Sequence, residues 1–413
     1  MRIGLGLAVL SGVIYWLADR QFDAGRGDFF YLADAFLHGR TWLTAPLGPN
    51  DVIPIDRRYY VPFAPFPAIA LIPLVAILGP VTADQVESGV NAFLAAWSVA
   101  MCWWLLGRVG VRRPSDRAWL TALFGFSTQI LWITTRGGVW HTGQLIATIL
   151  TFACLIELFG RRRAWLIGLL AGVAFLTRAP LAFAVPVYAI WLAWALDRPS
   201  ADDERADDGR ADDEDASGAA YVPPARGVIP WRPWIELALG VAPSIVFFFA
   251  YNQVRFGSPL ESGYALATLP DWLERQRQIG LFSIAHIPMN LDYFLLHLPR
   301  LIAGWPFLRP DGLGMSVLIT SPGLLFAFRA DWRRPHAWFL AAAAILVLIP
   351  TLLYYGGGWL QYGYRYFLDS VPFVMGLCGL AAVARGGIGW GWKALIVVGI
   401  AVMGIGVYWA YNL

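Results

Sequence analysis

Long apolar runs separated by short, arginine-bearing breaks occupy the chain from its first residues to its last. A helix needs roughly 20 apolar residues to cross the hydrocarbon core, fewer when neighbouring protein covers its ends. The pattern predicts about eleven spans: Ile3–Ala18, Val86–Leu106, Ala118–Thr134, Gln144–Phe159, Ala164–Leu176, Leu181–Leu196, Trp234–Tyr251, Leu313–Phe328, Ala337–Tyr355, Phe367–Val383 and Leu395–Tyr411. A further apolar stretch, Pro62–Pro80, is short and rich in proline. Each proline removes a backbone donor that lipid cannot replace, so the stretch reads as a juxtamembrane or re-entrant helix. With that reading, "GRVGVRRPSDR" (107–117), "GRRR" (160–163), the segment after Leu196, "RADWRRPH" (329–336) and Lys393 fall on one side, which the positive-inside rule makes cytoplasmic. The N-terminus is expected inside. Gly4–Leu17 has the apolar character of a secretory signal, but no small-residue cleavage site follows, and it is read as a retained first span.

Composition agrees with this class. Of 413 residues, 58% are hydrophobic and 14% charged, too few to enclose one water-soluble core, so the expected fold is an all-α polytopic membrane protein. The net charge of +3 comes from scattered arginines, with no stripe that could track phosphates, which argues against nucleic acid as a partner. Cys102, Cys154 and Cys378 lie in apolar runs and read as buried small hydrophobes. The repetitive acidic stretch "DRPSADDERADDGRADDEDASG" opens a linker, 197–230, read as disordered and cytoplasmic. It divides a module at 1–196 from one at 231–413. Three stretches then face outward: 19–62, 252–312 and 356–365.

The first of these contains "GDFFYLADAFLHGRTWL", Gly27 to Leu43. On a helix, Phe29, Phe30, Leu32, Ala33, Phe36 and Leu37 share one face and Tyr31, Asp34 and His38 the other, as in a helix lying in the membrane interface. Asp28 opens it, either as an N-cap or as a carboxylate with a chemical task. Asp28, Tyr31, Ala35, Gly39 and Arg40, placed just after a first span, resemble the first outer loop of the GT-C superfamily. These membrane glycosyltransferases use polyprenyl-phosphate sugars and include protein O-mannosyltransferases and the aminoarabinose transferases of lipid A. Four later stretches follow in matching order: "YYVPFAPFPAIALIPLVAILG" (59–79), "LIGLLAGVAFLTRAP" (166–180), "YNQVRFGSPLESGY" (251–264) and "GGWLQYGYRYFLDSVPF" (357–373). The resemblance covers nearly the whole chain and implies a GT-C-like bundle with outer juxtamembrane helices.

It also implies a chemistry. Transfer from a polyprenyl-phosphate sugar to an acceptor hydroxyl, with inversion, needs a carboxylate to take the acceptor proton. Asp28 is expected in that role, with Asp23 and Asp34 as alternatives. The leaving lipid phosphate needs a fixed cation, for which Arg is suited by its planar fork of donors; the candidates are Arg178, Arg365, Arg57 and Arg58. Arg178 and Arg365 could equally be headgroup anchors, and Arg57 and Arg58 solvated loop residues. Tyr31, Tyr60 and His141 are the expected substrate contacts. Trp140, Trp305 and Trp359 could stack on a sugar, although most of the 21 tryptophans must belong to the interface belt. No histidine and carboxylate spacing suggests a metal site, and no cofactor is expected. The expected partners are the polyprenyl-phosphate sugar donor, a glycan, lipid or protein acceptor, and the bilayer of a prokaryotic plasma membrane, with the site facing outside. A lipid-linked-substrate transporter or flippase and a non-catalytic scaffold remain as alternatives. Against a transporter stand the lack of an internal repeat and of acids at mid-span: Glu157, the acid well inside a span, sits near a cytoplasmic end.

Overall fold

The computed structural model describes residues 2–18, 27–135, 138–195, 231–358 and 361–410. Asp23, the linker 197–230 and Trp359 lie outside the described residues. The chain is predominantly helical. Its first half contains α1 (Arg2–Ala18), α2 (Asp28–Leu37), a hairpin of β1 (Ile53–Ile55) and β2 (Arg58–Tyr60), α3 (Phe66–Leu78), α4 (Pro80–Gln85), α5 (Glu87–Val109), α6 (Pro114–Phe126), α7 (Gln129–Thr134), α8 (Val139–Phe159), α9 (Ala164–Phe175) and α10 (Val185–Ala195). After the linker come α11 (Trp231–Phe256), α12 (Asp271–Ile279), α13 (Ile287–Leu291), a second small hairpin of β3 (Arg300–Leu301) and β4 (Leu308–Arg309), α14 (Val317–Thr320), α15 (Pro335–Leu353), α16 (Val371–Ala384) and α17 (Trp390–Ala410).

Among the described residues, five helices are long and apolar enough to cross a membrane: α5, α8, α11, α15 and α17. The 21 residues of α8 extend about 31 Å at 1.5 Å per residue, close to the thickness of the hydrocarbon core. Four segments expected as continuous spans are interrupted instead. Ala118–Thr134 breaks at Ser127 and Thr128, where extended backbone at Thr128 lets its hydroxyl accept from the Ile130 amide and start α7. Leu181–Leu196 and Phe367–Val383 begin as 3-10 turns (Ala179–Ala184 and Arg365–Asp369) before becoming α-helical. Leu313–Phe328 is the short α14, capped by the Ser316 hydroxyl, followed by a 3-10 run from Pro322. Such breaks survive at membrane depth only where protein covers them, and Ser127, Thr128, Gln129, Ser316, Thr320 and Ser321 are all buried.

One apolar core runs through residues on both sides of the linker: Cys102, Leu123 and Trp132 share a cluster with Met375, Cys378 and Trp392. The three cysteines are buried and unbridged. The glycine-rich stretch of α9 has a packing reason. A Cβ at Gly168 would lie 2.1 Å from the Leu237 carbonyl oxygen, and one at Gly240 would lie 2.2 Å from that of Trp165. Gly168 and Gly172 on α9 and Gly240 and Ser244 on α11 therefore form a small-residue seam, which lets two helices approach closely where lipid supplies no hydrophobic drive.

The arginine-bearing loops gather at one end of the bundle. Arg162 Nη1 donates to Ala195 O at the end of α10 (3.0 Å), Arg113 Nη1 donates to Gly386 O after α16 (2.9 Å), and the His336 ring packs on Phe159 at the end of α8. Exposed Trp165, Trp338 and Trp390 begin or nearly begin the helices that leave this end. At the other end, α2 does not present its apolar face to lipid as expected of an interfacial helix. Phe29, Phe30, Leu32 and Ala33 are buried against Ala68, Leu71 and Val75 of α3, because a 13-residue helix, only about 20 Å long, lies against α2 and covers that face.

Candidate functional site

A cavity of about 590 Å³ opens at this second end, between the loop after α2, the start of α8, the end of α9, α12 and the 354–366 stretch. Its wall is mostly apolar and includes Phe29, Pro62, Phe63, Phe175, Leu176 and Phe248, with Trp272 and Leu273 of α12. Three arginines, Arg178, Arg255 and Arg365, reach this wall. Asp51 is the carboxylate among its described lining residues, half-buried on a left-handed backbone of φ 54°.

The three arginines differ in what holds them. Arg178 Nε is 2.7 Å from both carboxylate oxygens of Asp369, a fully buried side chain 191 residues away, and its guanidinium lies 5.6 Å from the Tyr366 ring. Arg255 donates through Nη1 to Val61 O (3.0 Å) and through Nη2 to Asn252 Oδ1 (2.9 Å), and stacks 4.0 Å over Tyr251. It thereby ties α11 to the stretch leading into α3.

Arg365 is 6% exposed, yet its Nε and Nη1 have no hydrogen-bond partner among the described residues. Its position is nevertheless tightly set. The Arg365 amide donates to Gln361 Oε1 (3.1 Å), Gln144 Nε2 donates to its carbonyl (2.9 Å), and the guanidinium lies 5.5 Å from the Trp140 ring and 5.3 Å from that of Tyr366. A buried cation with donors that no described residue meets, held at a cavity wall, suits an anionic group presented from inside the cavity.

Behind Gln361 lies a second network. Its Nε2 donates to Leu313 O (2.6 Å); the Leu313 amide donates to Asp311 Oδ1 (2.9 Å); and His297 bridges Asp311 Oδ2 (2.7 Å) and Asp292 Oδ2 (2.8 Å) with its two ring nitrogens. Burial by itself lowers the His297 pKa, but hydrogen bonds to Asp311 and Asp292, with their charges, outweigh it and raise the pKa above its ordinary value.

The residues expected from the sequence are only partly brought together. Arg178 and Arg365 line the cavity. Arg57 and Arg58 do not: Asp56 and Arg57, both with positive φ, form the tight turn between β1 and β2, and Arg58 is exposed and stacked 4.3 Å over Trp42. Tyr60 is buried against Phe256 in a separate small cluster with Ile53 and Ala267.

Asp28 is 2% exposed and is not an N-cap, since Gly27 holds that position; it lies in the first turn of α2, directly before the wall residue Phe29. Asp28 and Asp84 lie near enough for their charges to act on Glu87, which accepts from the Gly138 amide (3.0 Å) and from the Thr142 hydroxyl (2.9 Å). Asp84 also fills the space a side chain at residue 27 would need. Burial, then the Asp84 charge, raises the Tyr31 pKa. His141 is buried in the first turn of α8, between the lining residues Trp140 and Gly143 but not lining the cavity itself. Trp140 lines it, while Trp305 is exposed elsewhere. Among the described residues no group of three or more His, Cys, Asp or Glu side chains is placed to hold a metal ion.

Sequence reasoning did not single out Asp51, Arg255, Gln144, Gln361 or Asp369. For Arg255 a signal existed: it follows Tyr251 by four residues at the end of an apolar run, the spacing that stacks a guanidinium on a ring along one helix face. Comparison of the chain with protein-family models, with curated proteins and with solved structures finds no match.

Proposed function

We propose that this chain is a membrane glycosyltransferase that moves a sugar from a polyprenyl-phosphate donor to an acceptor hydroxyl at the outer membrane face, with inversion. The observation that carries the reading is Arg365, a buried guanidinium at the wall of a largely apolar cavity, two of whose nitrogens have no hydrogen-bond partner among the described residues. That combination suits an amphiphile whose phosphate is anionic and whose tail is hydrocarbon. In this reading the phosphate lies on Arg365, and Arg178, already neutralised by Asp369, orients Tyr366 beside it. The prenyl tail follows the proline and phenylalanine wall toward α3, and Trp272 and Leu273 of α12 cover the opening, with Arg277 Nη1 donating to Ala267 O (2.6 Å) to hold that helix. Asp28 takes the acceptor proton, which requires that substrate reach past Phe29. A second assignment of the base is favoured by one observation: Asp51 lines the cavity directly, and Asp28 does not. No metal or cofactor enters the proposed reaction.

The test is transfer of labelled sugar from a panel of short-chain polyprenyl-phosphate sugars by the purified protein in detergent. It is run with Asp28→Asn, Asp51→Asn and Arg365→Gln. Loss of the base lowers turnover by about 10²–10⁴-fold with donor binding kept. Asp28→Asn showing that loss supports the first assignment, and Asp51→Asn showing it moves the base to the cavity wall. Arg365→Gln is expected to weaken donor binding itself. If the native protein neither binds nor turns over any donor, the transporter and scaffold readings take its place.

A further inference from the structure

A second, larger cavity, about 1070 Å³, lies at the basic end of the bundle. It is lined by five arginines, Arg108, Arg112, Arg113, Arg117 and Arg334, against a single carboxylate, Asp116, so its described lining carries a formal charge of +4. Long-range contacts build it. Arg113 Nη1 donates to Gly386 O, and Asp116 Oδ1 accepts from the Ile388 amide (3.3 Å), so the start of α6 is fastened to the turn between α16 and α17. Arg117 stacks 4.2 Å over Trp103 and donates through Nη2 to its carbonyl (2.7 Å), which leaves no room for a side chain at Gly107. The remaining wall is apolar, from Trp104, Val109, Val111, Ile156 and Val383.

Ile156 places this cavity near one end of α8, whereas Val139, Trp140, Gly143 and Gln144 place the other cavity at its opposite end. Along α8 the two are thus separated by about 18–26 Å at 1.5 Å per residue, most of the thickness of a hydrocarbon core. Exposed Trp165, Trp338 and Trp390 surround the basic end, and Lys393 lies 5.2 Å from the Trp390 ring, an arrangement that suits the headgroup level of a bilayer.

We propose that this pocket binds a phosphate group, supplied by the headgroup of an anionic phospholipid in the leaflet at the basic end. Guanidinium forks match phosphate oxygens, clustered arginines attract anionic headgroups, and the apolar wall beside them accepts the first carbons of an acyl chain. A free phosphate would use the same donors without the wall. The inference does not depend on the glycosyltransferase reading, because its residues and its cavity are separate from those of the first site.

The test measures the unfolding midpoint of the full chain in detergent with added dioleoyl phosphatidylglycerol, dioleoyl phosphatidylcholine or inorganic phosphate. It compares the native protein with the double variant Arg108→Gln/Arg112→Gln. Arg57→Gln/Arg58→Gln, which removes the same charge at the other end, is the control. Phosphatidylglycerol is expected to raise the midpoint in a saturable way and phosphatidylcholine to leave it unchanged. The apparent affinity for phosphatidylglycerol should fall roughly tenfold or more in the Arg108/Arg112 variant and stay unchanged in the control. The unmodified protein gives a second reading, since its affinity for phosphatidylglycerol should fall as salt rises. Inorganic phosphate acting as strongly, with the same loss in the variant, keeps the phosphate site and makes a soluble anion its source. No response to either phosphate compound, or equal losses in both variants, overturns the proposal.

Discussion

At one end of α8, Arg178, Arg255 and Arg365 reach a cavity walled by phenylalanine, proline and tyrosine, and each guanidinium faces a carboxylate, a carbonyl or a ring. At the other end, Arg112, Arg113 and Arg334 stand exposed around a wider pocket, and Arg334 pairs with Asp331 at 3.3 Å in reach of solvent. The same side chain is used in two physical regimes. Buried, a guanidinium is fixed by its carboxylate, carbonyl and ring partners, and breaking one of those pairs is costly; exposed, it is screened by water and salt, so each pairing contributes less. The small cavity holds its guanidinia in fixed places, and the large pocket leaves several of its own in reach of solvent.

The largest expected effect tests the buried side of this comparison. Asp369→Asn leaves Arg178 facing a neutral amide, and removing one partner of a buried ion pair costs about 3–5 kcal/mol. Its unfolding midpoint should drop sharply, whereas Asp331→Asn, which breaks the exposed Arg334 pair, should change stability by less than about 1 kcal/mol. Equal effects would mean that solvent reaches the Arg178 pair and that the two ends do not differ in regime.

A smaller effect sharpens the comparison through His297, the switchable member of the network behind Arg365. Asp292 and Asp311 bond its two nitrogens, and Tyr293 meets its ring edge to face. Because its folded pKa is raised, the bridge contributes stability that is fully present below the ordinary value of 6.5 and lost as pH rises through the higher folded value. The midpoint of the native protein should therefore decline relative to that of His297→Gln as pH is taken from about 6 to 8. Parallel profiles would show that the bridge holds equally well with a neutral ring.

The smallest effect belongs to Arg57 and Arg58. Both are exposed on the hairpin, outside the cavity, and Arg57→Ala/Arg58→Ala should shift stability by about 0.5 kcal/mol or less. A larger loss, read from the same thermal unfolding, would place more weight on the Arg58 and Trp42 stack than an exposed contact ordinarily carries.

Parts of this organisation could be read directly. Val86–Leu106 and Leu395–Tyr411 correspond to α5 and α17 because an uninterrupted apolar run of that length has few alternatives to a helix in lipid. Segments that broke, such as Ala118–Thr134, are also apolar enough to read as spans, but a hydroxyl at Thr128 can replace the backbone partner that helix continuation would supply, and hydropathy does not register that competition. The chemistry divides in the same way. Arg178 stood out because a charge interrupting an apolar run is costly without a purpose, and Arg365 because it lies between two tyrosines after a glycine run in an outer loop. Asp51 was not, since an acid in a polar loop looks like every other solvated acid until the loop is folded over a cavity.

What the amino-acid order determines alone is local and additive: apolar runs long enough to cross a bilayer, the arginines that gather on one side of them, and the residue types available for an anion. Only the tertiary structure decides which donors of these arginines are matched. Asp369 occupies Arg178 from 191 residues away, and Gln144 holds the Arg365 carbonyl from 221 residues away. Hydrogen-bond pairing depends on distance in space, and burial makes a missing partner costly, so the residue order that supplies three arginines near one cavity leaves open which partner each of them meets.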